Sequence, residues 1–216
     1  VTLDLATGRT VTVNYSTSAD SATSGTDFQP VSGTLTFNPG VTTQKIVVQS
    51  LEDSIDEFVE TFEVNLTNPV NAGLLDGGVG IGRIIDNEPN VTVSINDVSV
   101  HEGNAGTTTA NFTVRVSGPH EKFIFVRYST ANGTASSPND YVAVTDANVP
   151  FNPGESEKNI EITVVGDTET EPDETFLVNL FFADTAEIAD GQATGTILND
   201  EGATAPLQLL RDESGP

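Results

Sequence analysis

Acidic side chains are crowded into two short segments of the chain. The segment from Asp167 to Glu174 and the segment from Glu52 to Glu60 each contain five carboxylates. Carboxylates at this density repel one another unless a cation lies among them. Ca²⁺ takes about six to eight oxygen ligands from carboxylates and carbonyls, so a crowded acidic loop suits it without thiolate or imidazole ligands. The two segments therefore predict calcium binding, with a plain solvated acidic turn as the alternative.

The charge of the whole chain indicates the same class of partner. Its 216 residues include 32 acidic and 8 basic side chains, which gives a formal net charge of −24. Proteins that bind nucleic acid need a basic surface, so we expect no nucleic-acid partner. Repulsion of this size destabilises a compact state, and bound divalent cations are one means of offsetting it.

Other kinds of chemistry find little support in the sequence. Cysteine is absent, which excludes a disulfide framework and thiolate catalysis. The two histidines, His101 and His120, are expected at the surface and lack the motifs of a hydrolase. Aromatic residues, which would stack a sugar in a glycosidase cleft, make up only 6% of the chain. We therefore expect no enzyme activity and, because no apolar run approaches the ~18 residues of a membrane span, no membrane insertion.

An internal repeat sets the positions of the acidic segments. Val13-Asn14-Tyr15-Ser16-Thr17 matches Val126-Arg127-Tyr128-Ser129-Thr130 at a shift of 113 residues (Tyr15 to Tyr128). Phe37-Asn38-Pro39-Gly40 matches Phe151-Asn152-Pro153-Gly154 at a shift of 114 (Phe37 to Phe151), and this register aligns the two acidic segments. Two copies of one fold are therefore expected. Their boundaries are a first module at 1–89, a second module at 90–202 and a C-terminal tail or linker at 203–216.

Apolar residues alternate with polar ones through both modules. In the second module they recur at every second position in five runs: Val91 to Ile95, Ala110 to Val116, Ile124 to Tyr128, Ile160 to Val164 and Phe176 to Leu180. This period predicts half-buried β-strands. Turn residues separate the runs at Ser117-Gly118-Pro119, Asn152-Pro153-Gly154 and Ala189-Asp190-Gly191. The expected fold class is all-β, with two tandem immunoglobulin-like antiparallel β-sandwich modules arranged end to end.

Four separate segments of the second module are expected to meet at one pole. The loops at one end of a β-sandwich lie close together. Glu102, Asp140, the loop of residues 167–174 and the turn Asn199-Asp200-Glu201 all lie between or beyond strands that can end at the same pole. A shared site is therefore expected there.

A series of motifs across the second module resembles the Calx-beta domain. In chain order they are Val100-His101-Glu102-Gly103, Tyr128 to Ala135 running into Asn139-Asp140-Tyr141, Phe151 to Gly154, Asp167 to Glu174, Phe176 to Leu180, and Gly195 to Glu201. The resemblance covers residues 90–202 from end to end. It implies a calcium-binding sandwich of the kind known from sodium–calcium exchangers, integrin tails and large bacterial surface and adhesion proteins.

The resemblance also implies which residues are calcium ligands. In the second module they are Glu102, Asp140, Asp167, Glu171, Glu174, Asp200 and Glu201. In the first module they are Asp27, Asp53, Glu57, Glu60, Asp86 and Glu88. The family's best calcium sensors carry runs of aspartates where this chain has Gly166-Asp167-Thr168 and Asn199-Asp200-Glu201. This departure predicts fewer ions, or more weakly bound ones, in each module.

The first module departs further from the family. Val1 corresponds to the second strand of the repeat, so the module is expected to lack its first strand and any equivalent of Glu102. An open sheet edge recruits another strand, and the segment from Pro206 to Leu210 is one candidate to cover it. We expect the first module to be weaker than the second in both fold and calcium affinity.

The function we expect is that of a calcium-binding structural or adhesion repeat. Such a repeat belongs to a larger secreted or cell-surface protein, so an extracellular location and a protein or carbohydrate surface as partner are expected. Two alternatives remain open, namely a regulatory calcium-sensor pair of a membrane protein and a lectin-like ligand-binding module. Many further copies in the parent protein would favour adhesion, whereas membrane spans would favour a regulator.

Overall fold

The computed structural model describes residues 1–201, which form two compact units. Unit 1 is Val1–Pro89, and unit 2 begins at Asn90. The strands of unit 1 are β1 (Val11–Ala19), β2 (Ser32–Phe37), β3 (Glu60–Val70) and β4 (Val79–Ile84). The strands of unit 2 are β5 (Thr92–Ile95), β6 (Val98–His101), β7 (Gly106–Val116), β8 (Ile124–Asn132), β9 (Ala147–Phe151), β10 (Glu157–Gly166), β11 (Glu174–Ala183), β12 (Glu187–Asp190) and β13 (Gln192–Leu198). The tail expected at 203–216, with its candidate covering segment, lies outside the described residues.

Unit 2 is a sandwich of two sheets. One sheet has the strand order β10-β7-β5-β12 and the other has the order β6-β13-β11-β8-β9. Most neighbours are antiparallel, but β12 pairs with β5 and β13 pairs with β6 in parallel. The expected all-β fold class is confirmed. The structure describes no helix long and apolar enough to cross a membrane.

The core of unit 2 is formed by the apolar residues that alternate along its strands. Phe112, Val126, Ile162 and Phe176 are each completely buried. The Phe176 ring meets Phe112 edge-on, with 5.9 Å between ring centroids, and stacks on Tyr141 at 4.6 Å. This stack lies beside the acidic loops at one end of the sandwich. The packed core therefore fixes the positions of the strand ends that carry the carboxylates.

Unit 1 has a single regular sheet, with the strand order β2-β1-β3-β4. The stack of Phe28 on Phe62, with centroids 4.7 Å apart, repeats the Tyr141–Phe176 stack of unit 2. Val1 aligns with Val114 near the end of β7, so the described residues of unit 1 include no counterpart of β5, β6 or most of β7. The part without a counterpart is therefore larger than the single first strand expected from the sequence.

Two local expectations are wrong. Ala189 and Asp190, expected in a turn, lie in β12, because pairing with β5 extends the chain there and leaves the turn to Gly191. His120, expected at the surface, is 2% exposed. Its Nδ1 lies 2.7 Å from the Lys122 carbonyl oxygen and its Nε2 lies 3.1 Å from that of Glu155, so the ring links two turns that are distant in sequence.

Candidate functional site

The pairing of β6 with β13 creates the first carboxylate cluster of unit 2. These strands run in parallel with Leu198 opposite His101, so the residues that follow each strand emerge side by side. Carboxylate oxygens of Glu102, Asp200 and Glu201 consequently lie within 4.8 Å of one another. The Gly103 N–H donates to Asp200 Oδ1 at 3.1 Å, which fixes the two segments against each other.

Glu102 is held in an environment that disfavours its negative charge. Its side chain is only 5% exposed. Burial, followed by the nearby charges of Glu201, Asp167, Glu171 and Asp200, raises the pKa of Glu102 to about 7. A cation among these groups would reverse the effect, because it favours the ionised carboxylate.

Glu201 provides an independent sign that an ion belongs in this cluster. Its Oε1 accepts a hydrogen bond from Asn104 Nδ2 at 2.8 Å. Its Oε2 is buried and has no hydrogen-bond partner among the residues that the structure describes. Buried polar atoms are nearly always satisfied, so an anionic oxygen of this kind calls for a cation or an ordered water.

The second cluster of unit 2 comprises Asp140, Glu171 and Glu174, whose carboxylate oxygens also lie within 4.8 Å of one another. Asp140 is fixed by its own loop, because its Oδ2 accepts hydrogen bonds from the Ser136 N–H at 2.6 Å and the Ser136 hydroxyl at 3.3 Å. Burial and the charges of neighbouring carboxylates raise the pKa of both Glu171 and Glu174. The fold thus brings three mutually repelling carboxylates together, which disfavours their ionised forms.

Asp167 lies between the two clusters. Its charge raises the pKa of Glu102 in one cluster and of Glu171 in the other. The close approach depends on Gly166, where a Cβ atom would lie 2.1 Å from the Gly103 carbonyl oxygen. The main chain of the 167–174 loop can therefore pack directly against the backbone that carries Glu102. The expected convergence of four segments at one pole of unit 2 is confirmed.

Unit 1 contains a corresponding cluster of Asp27, Glu57 and Glu60, again within 4.8 Å. Asp27 repeats the role of Asp140, since the Thr23 N–H donates to its Oδ2 as the Ser136 N–H does in unit 2. The repeat therefore preserves both the position of this aspartate and the local hydrogen bond that orients it.

The remaining predicted ligands of unit 1 lie in the surrounding turns. Asp86 lies beside the cluster, because the Glu57 N–H donates to its Oδ2 at 3.3 Å. A hydrogen bond with Asp86, followed by partial burial, raises the pKa of Glu88. Asp53 Oδ1 accepts from the Ile55 N–H at 2.7 Å, so this oxygen closes its own turn. The three clusters do not include Asp53, Asp86 or Glu88.

Two acidic residues have structural positions that the sequence did not indicate. Asp56 is 1% exposed, yet the repeat places Thr170 at the matching position, so comparison of the copies gave no signal. Asp173 accepts a hydrogen bond from the Asn199 N–H at 3.2 Å and thereby ties the 167–174 loop to the end of β13. The role of Asp173 depends on a contact between distant segments, which only the folded chain reveals.

The donor atoms in these clusters suit a hard cation. All of the side chains concerned are carboxylates, and the buried Glu201 Oε2 has no hydrogen-bond partner within residues 1–201. Oxygen-only ligand sets favour Ca²⁺ or Mg²⁺, and a flexible set drawn from several loops favours the larger Ca²⁺. The residues present therefore fit calcium.

Comparison with known proteins identifies the repeat. The model of the Calx-beta domain matches residues 1–88 and again residues 84–201. The chain belongs to the Calx-beta family. The resemblance seen in the sequence is confirmed, and Ca²⁺ is the ion that Calx-beta domains bind. Which of the predicted residues are ligands in this chain remains a prediction.

The Calx-beta repeats of this chain are similar to parts of larger proteins. The adhesion G-protein coupled receptor V1 of Danio rerio is 28% identical over 213 residues, which cover 86% of this chain and 3% of the receptor. The sodium/calcium exchanger Calx of Drosophila melanogaster is 29% identical over 180 residues, covering 78% of this chain and 18% of the exchanger. The chain thus spans a small fraction of these relatives.

Solved structures of Calx domains are also similar to the chain. The apo-form Calx CBD1 domain is 27% identical, with a TM-score of 0.44, and covers 52% of this chain and 100% of that domain. The CBD12 structure from CALX1.2 is 21% identical, with a TM-score of 0.42, and covers 91% of this chain and 90% of that structure. The family assignment rests on the two matches of the domain model.

Proposed function

We propose that the two Calx-beta units of this chain bind Ca²⁺ and that the chain is a binding and structural module, not an enzyme. The observation that carries the proposal is that Glu201, whose buried Oε2 has no hydrogen-bond partner in the described part of the chain, has a carboxylate oxygen within 4.8 Å of those of Glu102 and Asp200. Ionised carboxylates held this close repel one another unless a cation lies among them.

The proposed ligands are the carboxylates that the fold brings together. In unit 2 they are Glu102, Asp200 and Glu201 in one cluster, Asp140, Glu171 and Glu174 in the other, and Asp167 between them. In unit 1 they are Asp27, Glu57 and Glu60, with Asp53, Asp86 and Glu88 in the adjoining turns. Bound Ca²⁺ would supply positive charge to these groups, and their loops would then be held at fixed separations.

Fixed loops suit a repeat whose role is to be rigid. We infer that the chain is part of a larger extracellular or cell-surface protein and that it presents a surface to a protein or carbohydrate partner. Its similarity to an adhesion receptor supports this role. Detection of the parent protein on intact cells with an antibody that does not cross the membrane would test the location, and staining only after permeabilisation would contradict it.

A regulatory calcium sensor is the second candidate. Sodium/calcium exchanger 1 of Rattus norvegicus is 28% identical over 215 residues, or 89% of this chain, so the similarity extends over both units. In a sensor, calcium would change the overall dimensions of the pair. Small-angle scattering with and without Ca²⁺ separates the candidates, because a structural repeat predicts little change in maximum dimension and a sensor predicts a clear one.

Calcium binding itself is tested by thermal melting. Ligand that binds only the folded state stabilises it by about 2.7 kcal/mol at a concentration of roughly 100 times Kd. We expect the melting midpoint to rise when Ca²⁺ replaces chelator, with Mg²⁺ as the control for charge screening. An unchanged midpoint, or an equal rise with Mg²⁺, would contradict a calcium site.

A further inference from the structure

Unit 2 exposes four phenylalanine rings on one surface, which we call the aromatic surface. They are Phe123, Phe125, Phe181 and Phe182, and between 38% and 50% of each side chain is exposed. In the described part of unit 2 only one other large apolar side chain, that of Val142, is exposed. The remaining phenylalanines of that part are completely buried, namely Phe112, Phe151 and Phe176. Exposed apolar side chains are therefore concentrated in one place.

The outer face of the five-stranded sheet carries the aromatic surface. Positions 123, 125 and 127 are exposed and alternate with buried residues, so their side chains share this face. The ladder between β11 and β8 shifts register between Leu180 and Phe182. A bulge of this kind re-aims side chains, and the consecutive Phe181 and Phe182 are both exposed. Phe182 pairs with Arg127, so the rings of the two strands lie side by side.

The side chains of the aromatic surface are fixed by contacts with one another. The rings of Phe123 and Phe125 have centroids 4.6 Å apart and are tilted by 56°. Arg127 lies over the Phe181 ring, with its Cζ 5.5 Å from the ring centroid, and its guanidinium donates to both carboxylate oxygens of Asp146. A partner therefore meets a surface that is already formed and loses little conformational entropy on binding.

Unit 1 shows that the fold does not require aromatic residues here. At the shifts of 113 and 114 residues that relate the copies, the matching positions of unit 1 are Thr10, Thr12, Thr67 and Asn68. Unit 1 nevertheless forms the corresponding strand pair, β1 with β3, in the same antiparallel sense as β8 with β11. The four rings thus serve something other than strand pairing, and an exposed apolar patch of this kind marks an interaction site.

The area of the aromatic surface indicates the size of the partner. At about 200 Å² for a whole aromatic side chain, the exposed parts of the four rings amount to roughly 350 Å². A standard interface buries about 800 Å² on each protein. The aromatic surface is therefore too small for a stable dimer of this chain, but it can hold a few apolar side chains of a short segment.

The charges around the aromatic surface indicate the sign of the partner. The Asp184 N–H donates to the Phe125 carbonyl oxygen at 2.9 Å, which places this exposed aspartate beside the rings. Glu121, two residues before the first ring, is exposed as well. The neighbouring Lys122 is buried, and Arg127 is already paired. A partner with lysine or arginine beside its apolar groups is complementary to this border, whereas a second copy of the chain would bring the same carboxylates.

We propose that the aromatic surface binds a short basic segment of another protein. Apolar side chains of the segment pack among the rings, and its flanking lysine or arginine side chains meet Glu121 and Asp184. Because the Phe123 and Phe125 rings are tilted, they form a notch for a side chain and no flat platform for a sugar. The proposal rests on the presentation role proposed above and names the partner class for it, but it does not require calcium at the acidic pole.

The test uses the whole chain in excess Ca²⁺ and the synthetic peptide Lys-Leu-Lys-Phe-Lys-Leu-Lys. We expect saturable binding of one peptide per chain, with NMR shift changes confined to residues 121–127 and 180–185. Two control peptides separate the contributions: serine in place of leucine and phenylalanine keeps the charge, and glutamate in place of lysine keeps the apolar groups. Each should bind about tenfold more weakly or worse. Equal binding of the serine peptide would show diffuse attraction to an acidic protein and would overturn the proposal.

Substitutions in the chain locate the site independently. Phe125→Thr and Phe182→Asn introduce the residues that unit 1 carries at the matching positions, so both variants should fold. We expect Phe125→Thr to weaken peptide binding by about tenfold and the double variant to abolish it. The matched control is Val142→Thr, which removes an exposed apolar residue elsewhere and should change binding by less than about twofold. Equal binding by the wild-type chain and the double variant would overturn the proposal.

The contribution of charge is tested by a second matched pair. Asp184→Asn should weaken binding of the peptide by about threefold and reduce its salt dependence. Glu161→Gln removes an exposed carboxylate from β10, in the other sheet, and should have no comparable effect. Equal effects of the two substitutions would contradict a border that selects a basic segment.

Two further measurements identify other occupants and separate this proposal from calcium binding. Dimers of the chain alone that Phe125→Thr abolishes, or binding of a neutral oligosaccharide at these residues in place of the peptide, would overturn the proposal. Calcium-dependent melting is measured on the same variants and should be unchanged. Loss of peptide binding with an intact calcium response supports the aromatic surface as the site. Absence of a calcium response in the wild-type chain would contradict the calcium sites alone.

Discussion

At the scale of single residues, the acidic pole of unit 2 contains carboxylates in two different situations. Asp140 and Asp173 accept hydrogen bonds from main-chain N–H groups, so they hold loops in place whether or not an ion is present. Glu102 is buried, and the buried Oε2 of Glu201 has no hydrogen-bond partner among residues 1–201. Carboxylates of this second kind are destabilised by burial and by mutual repulsion when no cation is present. Metal binding should therefore depend most on them.

Glu171 and Glu169 offer a matched pair within one loop. Glu171 lies with Asp140 and Glu174 within 4.8 Å, whereas Glu169 is exposed and belongs to none of the three clusters. We expect Glu171→Gln to weaken calcium binding by about tenfold or more, which corresponds to ~1.4 kcal/mol, and Glu169→Gln to change it by less than about threefold. Calorimetric titration of both variants measures the difference. Equal losses that both disappear at high salt would mean that the loop acts only as diffuse charge.

Glu102 predicts a pH dependence in the metal-free chain. Its folded-state pKa of about 7 lies above the value of 4.5 for the unfolded chain. A raised carboxylate pKa stabilises the fold below pH 4.5, and this contribution is lost as the pH rises towards 7. We expect a loss on the order of 3 kcal/mol across this range, which Glu102→Gln removes and Ca²⁺ counteracts. Urea unfolding in chelator at several pH values provides the measurement. An identical pH profile for the wild-type chain and the variant would refute this role of Glu102.

At the scale of secondary-structure elements, glycines opposite aromatic residues allow close packing in both units. Gly195 in β13 pairs with Phe176 in β11, and Gly82 in β4 pairs with Phe62 in β3. A Cβ atom at either glycine would lie under 2.5 Å from the ring: 2.4 Å from Phe176 and 2.2 Å from Phe62. The two rings differ in their freedom to move, because Phe176 is completely buried and Phe62 is only half-buried.

This difference predicts unequal costs for the same substitution. Gly195→Ala should destabilise unit 2 by about 1–3 kcal/mol, the usual cost of overpacking a filled core. Gly82→Ala should cost unit 1 less than about 1 kcal/mol, since the half-buried Phe62 ring has room to move. Denaturant unfolding followed by NMR signals from each unit separates the two effects. The interpretation fails if Gly82→Ala is the more damaging of the two.

The sequence predicted the strands better than it predicted the contacts between distant strands and loops. Five alternating runs of unit 2 became strands with the expected faces buried, because a period of two is a local property of the chain. The burial of His120 and the parallel pairing of β13 with β6 depend on residues about 35 and 97 positions away, beyond the reach of local patterns. The acidic segments were found by their density, but Gly166, which lets them approach Glu102, gave no such signal.

At the scale of the whole molecule, the two units are unequal. Among the described residues, the main buried core cluster of unit 1 comprises Val11, Val13, Leu35 and Phe37. The core cluster of unit 2, in its described part, comprises 22 buried residues drawn from both of its sheets. Burial of apolar surface is the main favourable term in folding, so unit 1 should be the less stable of the two.

We therefore expect two melting transitions in scanning calorimetry, with unit 1 unfolding at the lower temperature. Ca²⁺ should raise both transitions, and the Glu171→Gln substitution should reduce the rise only for unit 2. A single transition in which all signals change together would show that the units unfold as one cooperative body.

The most direct test of calcium binding is calorimetric titration of Ca²⁺ into the metal-stripped chain. We predict saturable heat for at least one ion per unit, with Kd at or below about 10⁻⁴–10⁻³ M, as in extracellular calcium modules. The tighter binding should be lost with Glu171→Gln in unit 2, and the weaker binding with Glu57→Gln in unit 1. The absence of saturable heat up to about 10 mM Ca²⁺, well above that range, would contradict the assignment of these carboxylate clusters as calcium sites.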